Sequence, residues 1–240
     1  HRRWPPTPPP QPEATKPLYL RTRRRVPVNA TLRHGLEPFV AVDAADFVAA
    51  ANLCSDKSTV HRYENIYGQF LSRYRHADAG EPNVTMTSNH STRGTTNVTN
   101  NDTKTTKPFK LLEIGLGCDM PTCVGGGYFL LDQYMPNVEY YSFEFNFPRC
   151  EQRFHDTGLP WKPGQLDALR RKSCTGSSEN VTALRECAER FGPFDVIIDD
   201  ASHQARHVIT AFGHMFRRDE FLKPGGLYFV EDLQVSFFPW

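Results

Sequence analysis

"FDVIIDDASHQARH", Phe194 to His207, decides the fold. Phe194 and Val196 to Ile198 are apolar and mostly β-branched, and two aspartates, a serine and a histidine follow at once. A short apolar run that stops at carboxylates and an imidazole reads as a buried strand whose end opens on a polar site. The pattern recurs on either side. "FKLLEIGLG" runs from a strand into glycines, "VEYYSFEFN" (138–146) is a second strand, and "KPGGLYFVED" is a glycine turn followed by another. Between them "QLDALRRK", "VTALRECAERF" and "QARHVITAFGHMF" have helical spacing. Strands alternating with helices predict an α/β fold with a doubly wound, mostly parallel, Rossmann-like sheet. Upstream, Val42, Phe47, Val48 and Leu53 predict one helix, and Val60, Tyr63, Ile66, Tyr67, Phe70 and Leu71 predict an apolar stripe on another.

The flanking composition differs. Residues 1–25 carry seven Arg or Lys and one Glu, which leaves 21 basic and 26 acidic residues in the remainder. A mildly acidic body argues against nucleic acid as a partner. Residues 1–38, rich in Pro and Arg, read as an extended stem or linker, with "RTRRR" (21–25) as solvated linker or protease target. Residues 39–240 read as the folded domain, interrupted by a Thr/Asn-rich insert at 77–106 that is too polar to build a core. No stretch reaches the roughly 20 apolar residues of a membrane span.

N-x-S/T sequons stand at Asn29, Asn83, Asn89, Asn97, Asn101 and Asn180, four of them in the insert, which predicts an exposed glycosylated loop. The six cysteines (Cys54, Cys118, Cys123, Cys150, Cys174 and Cys187) are even in number and form no C-x-x-C pair. They read as a disulfide framework whose connectivity the sequence leaves open. Together these features predict the secretory pathway, Golgi lumen or secreted.

Two groups of residues carry chemistry. In "LLEIGLGCD" (111–119), Glu113, Gly115, Leu116 and Gly117 end the first strand, where glycines let backbone turn sharply and approach a ligand. Glu144, near the end of the next strand, is placed to accept hydrogen bonds from ribose hydroxyls. The third glycine of a dinucleotide fingerprint is missing, which favours S-adenosylmethionine over NAD. The second group is Asp199 and Asp200 at one strand end with Glu231 and Asp232 at the next. Crowded carboxylates repel unless a cation intervenes, and a hard divalent ion such as Mg²⁺ suits oxygen ligands. Helix capping by Asp200 or Ser202 accounts for one acid but not for both strand ends. His203 is placed to accept a proton at the same site, whereas His207 and His214 read as structural.

Together these residues resemble the metal-dependent class I O-methyltransferases typified by the mycinamicin and macrocin sugar methyltransferases, with similar fungal and algal relatives. The likeness rests on "SDKSTVHRYENIY" (55–67), "LLEIGLGCDM" (111–120), "FDVIIDDASH" (194–203) and "PGGLYFVEDLQVSF" (224–237). It implies S-adenosylmethionine as donor, a sugar or glycan hydroxyl as acceptor, Asp200, Glu231 and Asp232 as Mg²⁺ ligands, and His203 as base. Two departures stand out: Ala201 replaces a usual glycine, and the chain reaches Trp240 just after the fifth expected strand, which implies a sheet lacking its C-terminal strands. Two other readings are a non-haem iron oxygenase using His203, His207 and a carboxylate, and a non-catalytic secreted module that keeps the fold.

Overall fold

The computed structural model describes residues 38–51, 55–75, 108–121, 123–154, 159 and 161–237. All of the stem at 1–38 except Pro38, which opens the first helix, lies outside the described residues, as do the insert at 77–106 and every sequon except Asn180. Helices α1 (Pro38–Ala51), α2 (Asp56–Thr59) and α3 (Glu64–Arg75) come first. Then follow β1 (Phe109–Ile114), α4 (Gly126–Tyr134), β2 (Val138–Glu144), α5 (Phe147–Phe154), α6 (Gln165–Arg171), β3 (Ser173–Thr175), α7 (Val181–Phe191), β4 (Phe194–Asp199), α8 (Ala205–Met215) and β5 (Leu222–Val230). A 3₁₀ turn, Leu233–Phe237, closes the described chain.

The five strands form one sheet in the order β3-β2-β1-β4-β5, with every pairing parallel. Parallel neighbours need crossovers, and helices supply each of them. The order reverses between β1 and β4, which is where an open α/β sheet leaves a crevice at its carboxyl edge.

Alternation along the strands builds two cores. Leu111, Val196 and Ile198 face a layer containing Phe47, Tyr67, Leu71 and Tyr134, while Leu112, Ile114 and Ile197 face Leu184, Ala211 and Met215. The same parity sends polar residues to opposite faces. Glu113 follows Leu111 into the first layer, and Asp199 follows Ile197 into the second.

Several features depart from the sequence reading. The stripe expected from Val60 to Leu71 does not form one helix, because the chain turns at Arg62 (φ 59°) between α2 and α3. Val60, Ile66 and Phe70 are left exposed, and the buried positions are Lys57, Tyr67, Gly68 and Leu71. Val48, expected to face inward, is also exposed. Helices α4 and α5 carry no clear signal, since α4 opens on Gly125–Gly127 and α5 contains Pro148. Gly127 has a packing reason: a Cβ there would lie 2.7 Å from Glu113 Oε1. Strand β3, at three residues, is too short to show a period. At β5 the register slips between Phe194↔Leu222 and Val196↔Leu227, so the predicted turn at Pro224–Gly226 is a bulge within a longer strand.

Cys118 faces Cys150 and Cys174 faces Cys187, with Cα–Cα separations of 4.8 and 5.9 Å that suit disulfide bonding. Among the described residues no cysteine is free.

Leu112 is fully buried in the central strand, where truncation leaves a cavity. Leu112→Ala should lower unfolding free energy by about 2–5 kcal/mol in urea titrations. A loss under about 1 kcal/mol would mean that the sheet is not the core of the domain.

Candidate active site

Register places the polar residues. Ile114 pairs with Asp199, which pairs with Val230, so Gly115, Asp200 and Glu231 come next in line on β1, β4 and β5. The ladder continues one step past the strands. Asp200 N–H donates to Ile114 O (2.9 Å), Glu231 N–H to Asp199 O (3.0 Å) and Gly115 N–H to Phe143 O (2.9 Å). Gly115 (φ 102°) runs so close to this edge that a Cβ would lie 2.8 Å from the Asp200 carbonyl carbon. Only glycine tolerates both the left-handed backbone and the approach.

A cavity of about 470 Å³ opens over these strand ends, lined among others by Gly115, Gly117, Glu144, Asp200, His203 and Asp232. Its walls join the two groups of residues that the sequence singled out. Glu144 is buried at the end of β2, where Oε2 accepts from Leu116 N–H (2.9 Å) and Oε1 from Asn146 N–H (3.0 Å). Each oxygen keeps a second lone pair, so the carboxylate is fixed in place and still able to accept from a ligand. Leu116 serves through this amide, and its side chain is buried in the first core.

At the other end, His203 Nε2 lies 3.8 Å from Asp200 Oδ1 and 4.0 Å from Asp232 Oδ2. The three can present ligand atoms within 4.8 Å of one another. Two hard carboxylate oxygens facing a cavity with room for water fit a divalent cation, with the His203 imidazole beside them. The residues that hold this trio come from 56–67. Tyr63 OH donates to Asp232 Oδ1 (2.6 Å) and accepts from Asp232 N–H (3.0 Å), while His61 Nδ1 lies 3.0 Å from the same Oδ1. Burial pushes the Asp232 carboxyl up, but the Tyr63 hydrogen bond, Gln234 and the nearby imidazoles of His61 and His203 together hold it below the usual range. It is a ready anion.

Behind the cavity sits a charge cluster that the sequence reading missed. Lys57 Nζ reaches Asp200 Oδ2 (2.6 Å), Glu231 Oε2 (2.7 Å) and Glu113 Oε1 (3.5 Å). Tyr67 OH donates to Glu231 Oε1, and Tyr140 OH to Glu113 Oε2. Burial works against the Lys57 charge, yet the three carboxylates outweigh it and raise its pKa well above the ordinary lysine value. Burial raises the carboxyls of Glu113 and Glu231 in turn. Lys57 lies within "SDKSTVHRYENIY" (55–67), a stretch that carries the family resemblance, but pattern alone gives a lysine there no burial.

The sequence-predicted residues therefore separate. Gly115, Gly117, Glu144, Asp200, His203 and Asp232 line the cavity. Glu113, expected at the cofactor, points instead into the first layer, where Lys57 and Tyr140 hold it at 1% exposure. Glu231, expected beside Asp200 as a metal ligand, stands behind it, with both oxygens engaged and a side chain 6% exposed against 26% for Asp200. Asp200 caps no helix, since α8 starts from Gln204 without a side-chain cap. His207 also lines the cavity, but its Nδ1 lies 3.3 Å from Ser178 Oγ and its Nε2 3.6 Å from Glu179 Oε2, and it is not in the Asp200, His203 and Asp232 group, so among the described residues no two-histidine facial triad forms. His214 packs against Phe221.

No protein-family model matches the chain. It is 54% identical over 96 residues to a tetracenomycin rhamnosyl 2′-O-methyltransferase of Streptomyces olivaceus, covering 38% of this chain and 25% of that protein. It is 30% identical over 131 residues to the mycinamicin VI 2″-O-methyltransferase of Micromonospora griseorubida, covering 54% of this chain and 28% of that one. The chain thus spans little more than a quarter of these curated relatives. Among solved structures, the mycinamicin-pathway methyltransferase MycE, with Mg and S-adenosylhomocysteine, superposes with a TM-score of 0.52 at 22% identity, over 85% of this chain and 39% of that one. The fold is that of this methyltransferase, and stretches of the sequence are similar to the two O-methyltransferases just named.

Asp199 offers a pH test of the parity argument. Burial in the second layer is the main cause that pushes its carboxyl up to about 7, against a hydrogen bond from Tyr228 OH (3.3 Å). The folded state then holds a proton that the unfolded chain releases near pH 4, so the stability cost grows from about pH 4 and is complete above about pH 7. Asp199→Asn should raise urea stability more at pH 8 than at pH 5, by roughly 2–3 kcal/mol, since about one unit of the shift is already felt at pH 5. Equal effects at both pH values would refute the buried-proton account.

Proposed function

We propose that the chain carries the donor site and metal-assisted catalytic edge of an S-adenosylmethionine-dependent O-methyltransferase acting on a sugar or glycan hydroxyl. The observation that carries this reading is the single cavity joining Gly115, Gly117 and Glu144 to Asp200, His203 and Asp232. When bound, S-adenosylmethionine supplies an electrophilic methyl on a good thioether leaving group, and Mg²⁺ supplies charge that orients and acidifies a hydroxyl. The chain's own residues do the rest. The glycine turn gives a donor close access to backbone, and the fixed Glu144 carboxylate selects for hydroxyl donors such as ribose. Asp200 and Asp232 would hold the ion through the oxygens that face the cavity. His203 Nε2, between them, accepts the proton as the hydroxyl oxygen forms its bond to carbon. Alignment of donor and acceptor in one cavity accounts for much of the rate in such a displacement.

Glu231 follows β5 as Asp200 follows β4, and the two share the Lys57 ammonium. In initial-rate assays with labelled donor and a glycoside panel, Asp200→Asn and Asp232→Asn should remove turnover, and chelator should reproduce that loss until Mg²⁺ is restored. His203→Ala should retain donor binding while the rate falls by about 10²–10⁴. Full activity in chelator would return the acids to a solvation role.

We place the protein in the secretory pathway, Golgi lumen or secreted, as a disulfide-bonded glycoprotein. The close cysteine pairs support this. So does Asn180, an exposed sequon whose Oδ1 caps α7 by accepting from Thr182 N–H (3.1 Å) and Ala183 N–H (3.2 Å), leaving the amide nitrogen for a glycan. Protein from a eukaryotic secretory host should lose mass on enzymatic deglycosylation and gain alkylatable thiols only after reduction. No mass change, or free thiols before reduction, would refute the compartment.

A further inference from the structure

The end of the cavity proposed for the donor has two walls, and a covalent bond joins them. One wall is the turn after β1, where Gly117, Cys118 and Met120 line the cavity, and the other is the end of β2, with Glu144 and Phe145. Helix α5 follows the second wall directly and is anchored in the first core by Phe147, Cys150 and Phe154. Cys150 on α5 is bonded to Cys118 on the turn, 32 residues earlier in the chain. The same helix holds the turn a second time. Arg153 Nη1 donates to Cys118 O, and Nη2 donates to Met120 O (2.6 Å). The turn so held presents Leu116 N–H to Glu144 Oε2. Both sulfurs and a Glu144 oxygen also lie within 4.8 Å of one another, so the disulfide borders the carboxylate that would receive the ribose. The other bond, Cys174–Cys187, ties β3 to α7, and neither of its cysteines lines the cavity.

We infer that the Cys118–Cys150 disulfide is a positioning element of the donor site, so that donor binding and the redox state of this pair are coupled. The inference rests on the donor-site reading above. With the bond closed, the turn is ordered before the ligand arrives, and that cost is not charged to binding. Opening the bond acts in two ways. It leaves the turn to Arg153 and backbone hydrogen bonds, and apparent affinity falls with the fraction of chains still in the competent shape. It also sets two S–H groups beside Glu144, where they can donate to the lone pairs that a ribose would use. The step itself is exchange with a small dithiol: the S–S bond of the pair takes up two electrons and two protons, and the dithiol loses them and closes its own disulfide. Coupling is reciprocal, so a ligand that prefers the closed bond makes that bond harder to reduce by the same factor. A cross-link that served only the fold would show no such response to the ligand.

The experiment is S-adenosylhomocysteine calorimetry on the full chain, paired with equilibration in dithiothreitol buffers and mass-spectrometric counting of alkylated cysteines. The double variant Cys118→Ala with Cys150→Ala should bind S-adenosylhomocysteine at least about tenfold more weakly than wild type, as a turn competent in one chain in ten would. The matched variant Cys174→Ala with Cys187→Ala should stay within about twofold. In wild type, saturating S-adenosylhomocysteine should raise the dithiol-to-disulfide ratio that half-reduces Cys118–Cys150 by about the factor that separates its affinities for the oxidised and reduced chains. Equal affinity in the first variant and wild type, an equal loss in the matched variant, or a half-reduction point that the ligand does not move overturns the inference.

Wild-type protein that binds no S-adenosylhomocysteine would refute the donor site itself, and the inference with it. If the first variant does not fold, the reduction equilibrium of wild type, followed with circular dichroism, decides alone, because it needs no substitution. A chain that unfolds by both routes would make the bond a folding cross-link and overturn the inference.

Discussion

Parallel pairing in strict register is the constraint on which the rest of this structure depends. Because Ile114, Asp199 and Val230 are paired neighbours, the residues that follow them leave the sheet side by side, whatever their chemistry. The chain uses that row for a glycine on β1 and acids on β4 and β5. A one-residue slip of any strand would exchange its two faces, sending Glu113 or Asp199 into the wrong core. The apolar alternation on both sides of the sheet therefore fixes the site as firmly as it fixes the fold. The β5 bulge shows the same logic. Its register is offset at Leu222 but restored from Leu227 onward, so the irregularity is spent before the acid-bearing end.

Much of this was legible in the sequence because it depends on local pattern. The runs before Gly115, Glu144, Asp200 and Glu231 announce strands that end in polar residues, and their alternation with helical segments gives the parallel order. What the pattern could not show is which way each acid turns. Asp199 and Asp200 are adjacent in sequence and opposite in environment, since one lies in the second core against Tyr228 and the other opens on the cavity. Glu231 and Asp232 divide in the same way. The helices before the sheet were misread for a related cause. A stripe of Val60, Ile66 and Phe70 reads as a core face, yet the buried face there is set by Lys57, Tyr67 and Leu71. A buried lysine is intelligible only when its three acids, 56 residues or more away in the chain, are known to converge.

Two residues that face the proposed ion have backbones in the left-handed region, His203 (φ 57°) and Asp232 (φ 51°). Such conformers cost non-glycine residues about 1–3 kcal/mol each and persist only where surrounding contacts over-determine them. For Asp232 the contact is visible. Tyr63 grips it twice, donating to the carboxylate and accepting from the amide, so backbone and side chain are fixed by one hydroxyl. Tyr63 in turn follows Arg62, itself left-handed (φ 59°), at the break between α2 and α3. The break that spoils the expected continuous helix is thus what separates Lys57 from Tyr63 and Tyr67 along the site. It lets one short segment reach Asp200 and Glu231 with an ammonium and Asp232 with a phenol. A continuous helix would set residues 57 and 63 about 120° apart around its axis, at about 100° per residue, so the two would not share one face toward the row of strand ends. The strain at Arg62 and at Asp232 is therefore part of one arrangement, in which the segment before the sheet holds the acids that the sheet presents.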